Sequence, residues 1–410
     1  MITRGRRPED ARPGPDGRPP SRRDLDRLRE DALHDLERLR GLDVAARPGE
    51  HGLHRAARVE EAVKGVVGSR LRRRGYQTRV IAYPCYGGPG WVRVLGRVLL
   101  GREAEQAERA AAERAAVRGW RNFLTVPVGD QEVRVRVGGH ELHLRTDRGG
   151  YLDEVVPVDL PPGAHELHLS VDDDAAGDGA PGDDPAGTTG AADGASGTAT
   201  ITVVGPEPTI GLLSDIDDTV VVTRLPRPLI AAWNSFVLSE KARVPVNGMA
   251  DLYRQVVAEH PGAPVLYLST GAWNVAPTLT RFLRRSGYPT GPLLLTDWGP
   301  TNTGWFRDGS AHKRETLARL ARELPQVTWL LVGDDGQHDP ALYAEFAAAA
   351  PERVAAVGIR RLTPAEKILA GGAPLQPTRA PEDTDVTWVT GDDGFELLHR
   401  WYRAGILTLA

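Results

Sequence analysis

The segment SDIDDT, residues 214–219, contains three carboxylates within four residues. It follows directly on the apolar run Ile210–Leu213, which predicts a buried strand. Carboxylates packed this closely repel one another unless a cation neutralises them. A helix N-terminus is another place that favours acids, because its dipole end is positive. The position of this cluster, at the end of a predicted strand, favours a site for a divalent cation.

An EF-hand calcium loop begins with a similar D-x-D spacing. Here, however, Val220 stands at the position of its turn glycine, and Pro226 stands at that of its bidentate glutamate. An EF-hand is therefore excluded at this position.

A second predicted strand end carries hydroxyl groups. The run Val265–Leu268 leads into Ser269, Thr270 and Gly271, where a hydroxyl and the backbone N–H groups of a glycine turn can hold a phosphate. The same tripeptide is also common in loops without a ligand. Either Ser269 or Thr270 can supply the hydroxyl, and the register after the strand favours Ser269.

Lysine is rare in this chain, because its 51 basic residues comprise 47 Arg and only four Lys. A lysine at a chemically demanding position is therefore informative. Lys313 lies in HKRETL, residues 312–317, which predicts the beginning of a helix. A compact ammonium there suits a phosphate or carboxylate neighbour, although an ordinary surface lysine gives the same pattern.

A second group of acids follows the apolar run Trp329–Val332. The segment GDDGQHD, residues 333–339, supplies Asp334, Asp335 and Asp339 as oxygen ligands suited to Mg²⁺. The segment GDDG at 391–394 also follows a strand-like run, but it lacks an acid five residues after its first aspartate. We expect it to be a turn beyond the end of the sheet.

The elements that position these residues form an alternating pattern from Thr209 onward. Short apolar strands alternate with helical segments, which predicts an α/β fold with a mainly parallel, doubly wound sheet. Ligands of such sheets bind at the carboxyl ends of the strands. The predicted strands are Ile210–Leu213, Val265–Leu268, Leu293–Leu295, Trp329–Val332 and Val354–Ile359.

Residues 76–205 have the pattern of antiparallel β structure. Runs such as Thr78–Tyr83, Glu132–Val137 and Glu166–Leu169 alternate with period two. Gly138 and Gly139 predict a two-residue hairpin turn. With one interrupting helix at about 104–117, this region predicts a small antiparallel β-sandwich-like domain.

The histidines of this region, at 140, 143, 165 and 168, alternate with apolar residues as on the exposed face of a strand. Two pairs are spaced i, i+3, but a strand places such residues on opposite faces, so we do not expect a metal site. The Gly/Ala/Asp/Pro tract 172–196 predicts a long flexible loop, and its acids show no calcium-ligand spacing.

The predicted domains are 1–60, 61–205 and 206–410. The first is a basic, partly disordered arm in which Asp24–Leu39 predicts an amphipathic helix. Residues 1–75 carry 19 basic against 13 acidic residues. Such an arm can contact anionic lipid or nucleic acid, but a solvated tail is favoured, and no nucleic-acid partner is expected.

Composition also limits the location. The single cysteine, Cys85, excludes an intramolecular disulfide and fits a reducing compartment. The N-terminus lacks the apolar stretch of a signal peptide, and no run of 18 apolar residues occurs. We expect a soluble, cytoplasmic protein whose membrane contact, if any, is peripheral.

Taken together, the motifs D-x-D-x-T, Ser, Lys and G-D-x-x-x-x-D resemble those of the haloacid-dehalogenase (HAD) superfamily. Within it, the chain is similar to the actin-patch type of phosphatidate phosphatases, which are relatives of the lipins. The resemblance covers about Thr209 to Gly371. It rests on LLSDIDDT (212–219), YLSTGAWN (267–274), HKRETL (312–317) and LVGDDGQHDPALY (331–343).

This resemblance implies a HAD-like fold and a Mg²⁺-dependent phosphatase for phosphatidate-like lipid phosphates. Asp215 would be the nucleophile that is transiently phosphorylated, and Asp217 the general acid and base. Because Asp335 stands where similar proteins often have Ser, the metal ligand among the three later acids stays open. The implied phosphate-binding residues are Thr219, Ser269, Thr270 and Lys313, and the implied metal ligands are Asp215, Asp217, Asp334, Asp335 and Asp339.

The substrate is less constrained by the sequence. About 45 residues, 220–264, separate the first two motifs and include a predicted helix at 228–240. This is too short for a large cap domain and predicts an open site, suited to bulky or membrane-presented phosphomonoesters. Aromatic residues near strand ends can contact lipid or simply pack in the core, and the role of Asp297 is open; these aromatic residues are Trp273, Trp298, Trp305 and Phe306.

Two other functions fit the same motifs. One is a phosphatase of this fold acting on a non-lipid phosphoester, because a fold does not fix a substrate. The other is a catalytically silent module that binds lipid or phosphate. The presence of both Asp215 and Asp217 argues against the silent module, because a degenerate site usually loses one of them.

Overall fold

The computed structural model describes residues 76–102, 126–172, 195–222, 244–296, 309–336, 338–369 and 385–408. All of these belong to one compact unit, Arg72–Ala410. Several predicted features lie outside the described residues. They are the N-terminal arm with its helix, the helices at 104–117 and 228–240, most of the tract 172–196, and Asp297 with the aromatic residues at 298, 305 and 306.

The N-terminal part of this unit is a nine-stranded sheet, here called the mixed sheet. Its order is β1-β3-β2-β9-β8-β5-β6, with β4 and β7 pairing to β3. Every pair is antiparallel except β2 with β9, which is parallel, so the sheet is larger and less uniform than predicted. The strands are β1 Tyr76–Ala82, β2 Cys85–Gly88, β3 Trp91–Arg102, β4 Val126–Pro127, β5 Glu132–Val137, β6 His140–Arg145, β7 Tyr151–Val156, β8 Gly163–Ser170 and β9 Ser196–Val203.

The hairpin between β5 and β6 follows the prediction. Val137 pairs with His140, and Gly138 and Gly139 between them have φ values of 55° and 81°. Positive φ at both central residues is the geometry of the hairpin turn whose twist matches that of the strands. Along β5 the three valines are buried, whereas His140 and His143 on β6 are exposed.

The C-terminal half is built on a six-stranded, all-parallel sheet with the order β14-β13-β10-β15-β16-β17. All five predicted strands are present, and each is longer than predicted. A two-stranded ribbon, β11 Val221–Val222 with β12 Val244–Pro245, follows the first acidic motif. The sheet strands are β10 Thr209–Asp215, β13 Val265–Ala272, β14 Leu293–Thr296, β15 Val327–Asp334, β16 Val354–Arg360 and β17 Thr387–Gly391.

The strand β17 corrects one prediction. The segment 391–394 does not lie beyond the sheet, because β17 pairs with β16 through Gly391. Asp393 then accepts a hydrogen bond from the backbone N–H of Glu396, so it caps the N-terminus of the following helix. The acids of this segment therefore begin a helix.

Helices cover both faces of the parallel sheet. They are α1 Met249–Glu259, α2 Ala276–Arg285, α3 Gly309–Glu323, α4 Asp339–Ala349, α5 Pro364–Leu369 and α6 Gly394–Arg403. Adjacent residues of β10 enter different cores, because Leu212 packs in the cluster with α1, α2 and α6 while Leu213 packs in the cluster with α3 and α4. This alternation is expected of a strand buried on both faces.

The mixed sheet packs directly on the parallel-sheet layer. Tyr86 donates its hydroxyl proton to Glu323 on α3 at 2.6 Å, and Arg93 donates to the same carboxylate at 2.7 Å. Trp273 is buried and packs on Tyr83 with ring centroids 4.8 Å apart. Of the two roles considered for Trp273, the structure shows packing.

Candidate active site

The polar residues singled out from the sequence converge at one edge of the parallel sheet. Asp215 is the last residue of β10, and Asp334 is the last residue of β15, its neighbour. The next two strands of this sheet in chain order, β13 and β14, lie on one side of β10. The three that follow, β15, β16 and β17, lie on its other side. The acids therefore lie at the point where the strand order reverses, which is where doubly wound sheets bind ligands.

Lys313 joins two of the acids. It is the fifth residue of α3, and its Nζ lies 2.6 Å from Asp215 Oδ1 and 2.5 Å from Asp339 Oδ1. All three side chains are buried. Burial alone lowers the pKa of a lysine, but the carboxylates of Asp215 and Asp339 raise the pKa of Lys313 well above its ordinary value. The lysine is therefore a fixed positive charge.

Three carboxylates, those of Asp215, Asp334 and Asp339, each offer an oxygen within 4.8 Å of the others. Burial raises the pKa of both Asp215 and Asp334 well above the usual range; repulsion from neighbouring acids adds to this effect, and Lys313 opposes it. Oδ2 of Asp215 and Oδ2 of Asp334 are buried and find no hydrogen-bond partner among the described residues. Unfilled carboxylate oxygens facing crowded negative charge fit a hard divalent cation such as Mg²⁺.

The oxygens of Asp339 are occupied differently. Oδ1 accepts from Lys313, and Oδ2 lies 3.4 Å from the backbone nitrogen of Asp334. Lys313 thus bridges the carboxylates of Asp339 and Asp215.

Asp217 lies on the turn that follows β10. The hydroxyl of Ser269, on β13, donates to Asp217 Oδ2 at 2.9 Å and accepts from the backbone N–H of Gly271 at the same distance. The next residue, Asp218, has a φ of 59°, in the left-handed region that aspartate tolerates better than most side chains. This turn directs Asp217 away from the strand and toward Ser269.

Three predicted site residues make none of the hydrogen bonds described above for the acidic cluster. Asp335 directs its oxygens to the backbone of Leu362 and to Lys367. Thr219 is fully buried, and its hydroxyl oxygen has no hydrogen-bond partner in the part of the chain that the structure describes. Thr270 is half-buried beyond Ser269, and its carbonyl accepts from Thr296.

The supporting role of several residues was not predicted from the sequence. A Cβ added at Gly333 would lie 2.7 Å from Asp339 Oδ2, so the glycine lets α4 approach the end of β15. Arg360 donates to the carbonyl of Asp218 at 2.6 Å. For these supporting residues the sequence offers one signal, the rarity of lysine, which applies to Lys367 as much as to Lys313.

A cavity of about 510 Å³ lies between the mixed sheet and the parallel-sheet layer. Its volume is typical of small-molecule sites. Thr296 and His312 line it, and they lie next to the strand end and helix start that carry Ser269 and Lys313. Its other walls include Leu95, Arg145, Tyr151, Asp153, Trp273, Glu315 and Arg319.

None of the described helices is both long and apolar enough to span a bilayer. The described exposed large apolar side chains are Val155, Val244 and Phe395, which belong to different elements.

Sequence comparison places the site in a known family segment. Residues 210–361 match the family described as "Phosphatidate phosphatase APP1, catalytic domain". An uncharacterized protein of Schizosaccharomyces pombe is 30% identical over 152 residues, which are 37% of this chain and 25% of that protein. Phosphatidate phosphatase APP1 of Saccharomyces cerevisiae is 26% identical over 154 residues, 37% of this chain and 26% of that protein. The chain thus spans about a quarter of each of these curated relatives.

Solved structures give only weak likenesses. The CARDB domain of PF1109 from Pyrococcus furiosus aligns with 32% of this chain and 94% of that domain, at 12% identity and a TM-score of 0.16. A carbohydrate acetylesterase, XAC1771 from Xanthomonas citri, aligns with 79% of this chain and 74% of its own, at 11% identity and a TM-score of 0.24. Scores this low carry no argument about fold or function.

The family match includes every residue of the acidic cluster, from Asp215 on β10 to Asp339 on α4. The resemblance noted in the sequence is therefore confirmed for residues 210–361, which are similar to the catalytic domain of the actin-patch phosphatidate phosphatases.

Proposed function

We propose that this protein is a Mg²⁺-dependent phosphomonoester hydrolase that acts through an aspartyl-phosphate on Asp215, with a lipid phosphate as its substrate. The observation that carries the proposal is the state of the Asp215 carboxylate. One oxygen is held by Lys313, while the other is buried and unfilled at the carboxyl edge of the sheet.

The first step follows from this geometry. A carboxylate oxygen of Asp215 attacks phosphorus and forms an O–P bond, while the bond from phosphorus to the ester oxygen breaks. Covalent catalysis of this kind divides one difficult displacement into two easier ones. Lys313 lies against Asp215 and supplies a fixed positive charge for the phosphoryl oxygens as their charge redistributes.

Asp217 transfers the protons. In the first step its carboxylic acid protonates the leaving alkoxide. In the second it accepts a proton from the water that attacks phosphorus, and the bond to Asp215 breaks to release phosphate. The hydrogen bond from Ser269 fixes the position of the Asp217 carboxylate for both steps. Such proton transfer contributes a rate factor of about 10²–10⁴.

Asp215 and Asp334 are the side chains that would hold the metal, through their unfilled oxygens, with the carbonyl of Asp217 as a further ligand. When bound, Mg²⁺ offsets the repulsion between the Asp215 carboxylate and the negatively charged phosphate.

Two observations support the fold and the substrate class. In the six-stranded parallel sheet the strand order reverses at β10, and helices pack on both faces, as expected of a HAD-like sheet. The matched family is described by its action on phosphatidate. Peripheral membrane contact, the cytoplasmic location, the absence of a nucleic-acid partner and the domain boundaries at 60 and 205 stay predictions.

A panel of phosphomonoesters tests the proposal. It contains phosphatidate in mixed micelles, a nucleotide, a sugar phosphate and a phosphopeptide, each assayed with and without Mg²⁺. We expect Mg²⁺-dependent release of phosphate, fastest from phosphatidate. Faster hydrolysis of a soluble ester would favour a non-lipid phosphatase. Binding to phosphatidate vesicles with no turnover of any ester would favour the silent binding module.

A further inference from the structure

Both carboxylate oxygens of Asp335 accept hydrogen bonds from groups of this chain. Its Oδ1 accepts from the backbone N–H of Leu362 at 2.8 Å, and its Oδ2 accepts from Lys367 Nζ at 2.7 Å. Its own backbone N–H donates to the carbonyl of Arg360 at 3.0 Å. The side chain is buried, with 7% of the residue exposed. Asp215 and Asp334, by contrast, each keep one unfilled oxygen.

Arg360, the last residue of β16, is buried and contacts three separate elements. Its Nη1 donates to the carbonyl of Asp218 at 2.6 Å, and its Nη2 donates to Glu366 at 2.7 Å. Its Nε donates to the carbonyl of Asp392 after β17, at 3.3 Å. The contact with Asp218 fixes the left-handed turn immediately after Asp217, so the guanidinium acts on the residue to which the proton transfers are assigned.

The two sets of contacts meet on one short helix. Glu366 and Lys367 are consecutive residues of α5, and one holds Arg360 while the other holds Asp335. Each ion pair is internally neutral, so neither adds net charge beside the acidic cluster. Breaking one member of such a pair leaves an uncompensated charge near the site.

We propose that Asp335, Arg360, Glu366 and Lys367 form a bracket that positions the two acidic turns of the active site, with Asp335 acting as a positioning residue and not as a Mg²⁺ ligand. The expected effect of the bracket on turnover rests on the proposed function. It extends the functional unit beyond residue 361, where the family match ends, to α5 and the end of β17.

A double-mutant cycle separates the two roles of Asp335. The variants are Asp335→Asn, Lys367→Met and the double variant, and the readouts are the Kd for Mg²⁺ by calorimetry, kcat, and the melting temperature without metal. If Asp335 belongs to the bracket, each single variant weakens Mg²⁺ binding about three- to tenfold, and the double variant is no worse than either, because contacting residues are not additive.

If Asp335 binds Mg²⁺ directly, the pattern differs in size and in additivity. Asp335→Asn would then weaken Mg²⁺ binding about a hundredfold or more, both with Lys367 present and in the Lys367→Met background. That pattern overturns the inference. Calorimetry does not need turnover, so the cycle gives a result even if no ester of the panel is hydrolysed, in which case the proposed function alone fails.

Arg360→Gln and Arg360→Lys test the other half of the bracket, with Arg361→Gln as the matched control. Arg361 is adjacent and half-exposed, and pairs with Asp392 and Glu396 on the outside of the sheet. At temperatures below their melting points, we expect both Arg360 variants to have a kcat about tenfold lower than that of the wild type. The KM for the substrate should be nearly unchanged, and the pH profile of kcat should be displaced. The control should match the wild type. An active wild type with unchanged kcat and pH profile in both Arg360 variants would remove Arg360 from the bracket.

Discussion

The mixed sheet and the parallel sheet both carry many charged residues, but they place them differently. On the mixed sheet, Glu132 on β5 pairs with His143 on β6 at 2.9 Å, and the side chains of both are about half exposed. At the edge of the parallel sheet, Asp215 and Asp334 are almost fully buried and each has an oxygen that no described group fills. An exposed carboxylate costs little, whereas a buried, unfilled one is expensive unless a ligand completes it. Among the described residues, a buried carboxylate oxygen without a partner, more than charge itself, marks the site.

The largest expected effect comes from Asp215→Asn, which removes the nucleophile while retaining its shape. We expect Mg²⁺-dependent phosphate release to fall at least about a thousandfold, as when a covalent nucleophile is lost elsewhere. The matched change on the mixed sheet, Glu132→Gln, should leave activity unchanged and alter stability by less than about 0.5 kcal/mol. Equal turnover in Asp215→Asn and wild type would refute the assignment.

Lys313→Arg retains the charge and changes its shape. The buried ammonium lies within 2.6 Å of two carboxylates, and a planar guanidinium does not fit the same position. We expect kcat to fall about a hundredfold, the scale of losing one electrostatic donor, and overpacking to cost about 1–3 kcal/mol of stability. Steady-state kinetics and thermal melting measure the two effects. Full activity would exclude Lys313 from the site.

Gly333→Ala tests whether crowding at the edge of the parallel sheet is functional. The added Cβ would meet Asp339 at 2.7 Å, so α4 or the Asp339 carboxylate must shift. We expect a loss of about 1–3 kcal/mol in the free energy of unfolding and a loss of activity of about tenfold or more. Gly139→Ala on the mixed sheet is the comparison. It strains a turn at φ 81° but meets no atom within 4 Å, so stability should fall by about 1 kcal/mol with activity unchanged.

The same contrast explains what could be predicted from the sequence. A run that alternates between apolar and polar residues identifies a strand such as β5, and a continuous apolar run identifies a strand such as β10. In both cases the local pattern directly reflects which faces of the strand are buried. The residues at the strand ends then follow, since parallel strands share a carboxyl edge. The bracket around Asp335 and Arg360 could not be predicted, because its hydrogen bonds join residues from three separate elements and depend on register. The expectation that residues 391–394 lie beyond the sheet is wrong because the pairing of β17 with β16 joins segments separated by a long Gly- and Pro-containing stretch, 370–384, and local sequence does not reveal such a pairing.

Ser269→Ala is expected to give the smallest effect within the site. Compared with Thr270→Val, it tests which of the two hydroxyls, that of Ser269 or that of Thr270, acts in the site. The hydroxyl donates to Asp217 and accepts from Gly271, so its loss removes one hydrogen bond from the proton-transferring carboxylate without removing a charge. A hydrogen bond to a carboxylate contributes about 1.5–3 kcal/mol, of which only the part realised in the transition state changes kcat, and 1.4 kcal/mol corresponds to about tenfold in rate. We therefore expect kcat to fall about tenfold, with the melting temperature nearly unchanged.

Thr270→Val should lower kcat less, because the Thr270 side chain lies one residue further along β13 and its neighbour Ser269 already faces Asp217. A larger loss in Thr270→Val than in Ser269→Ala would reverse the assignment of the hydroxyl while leaving Asp215 and Lys313 in place.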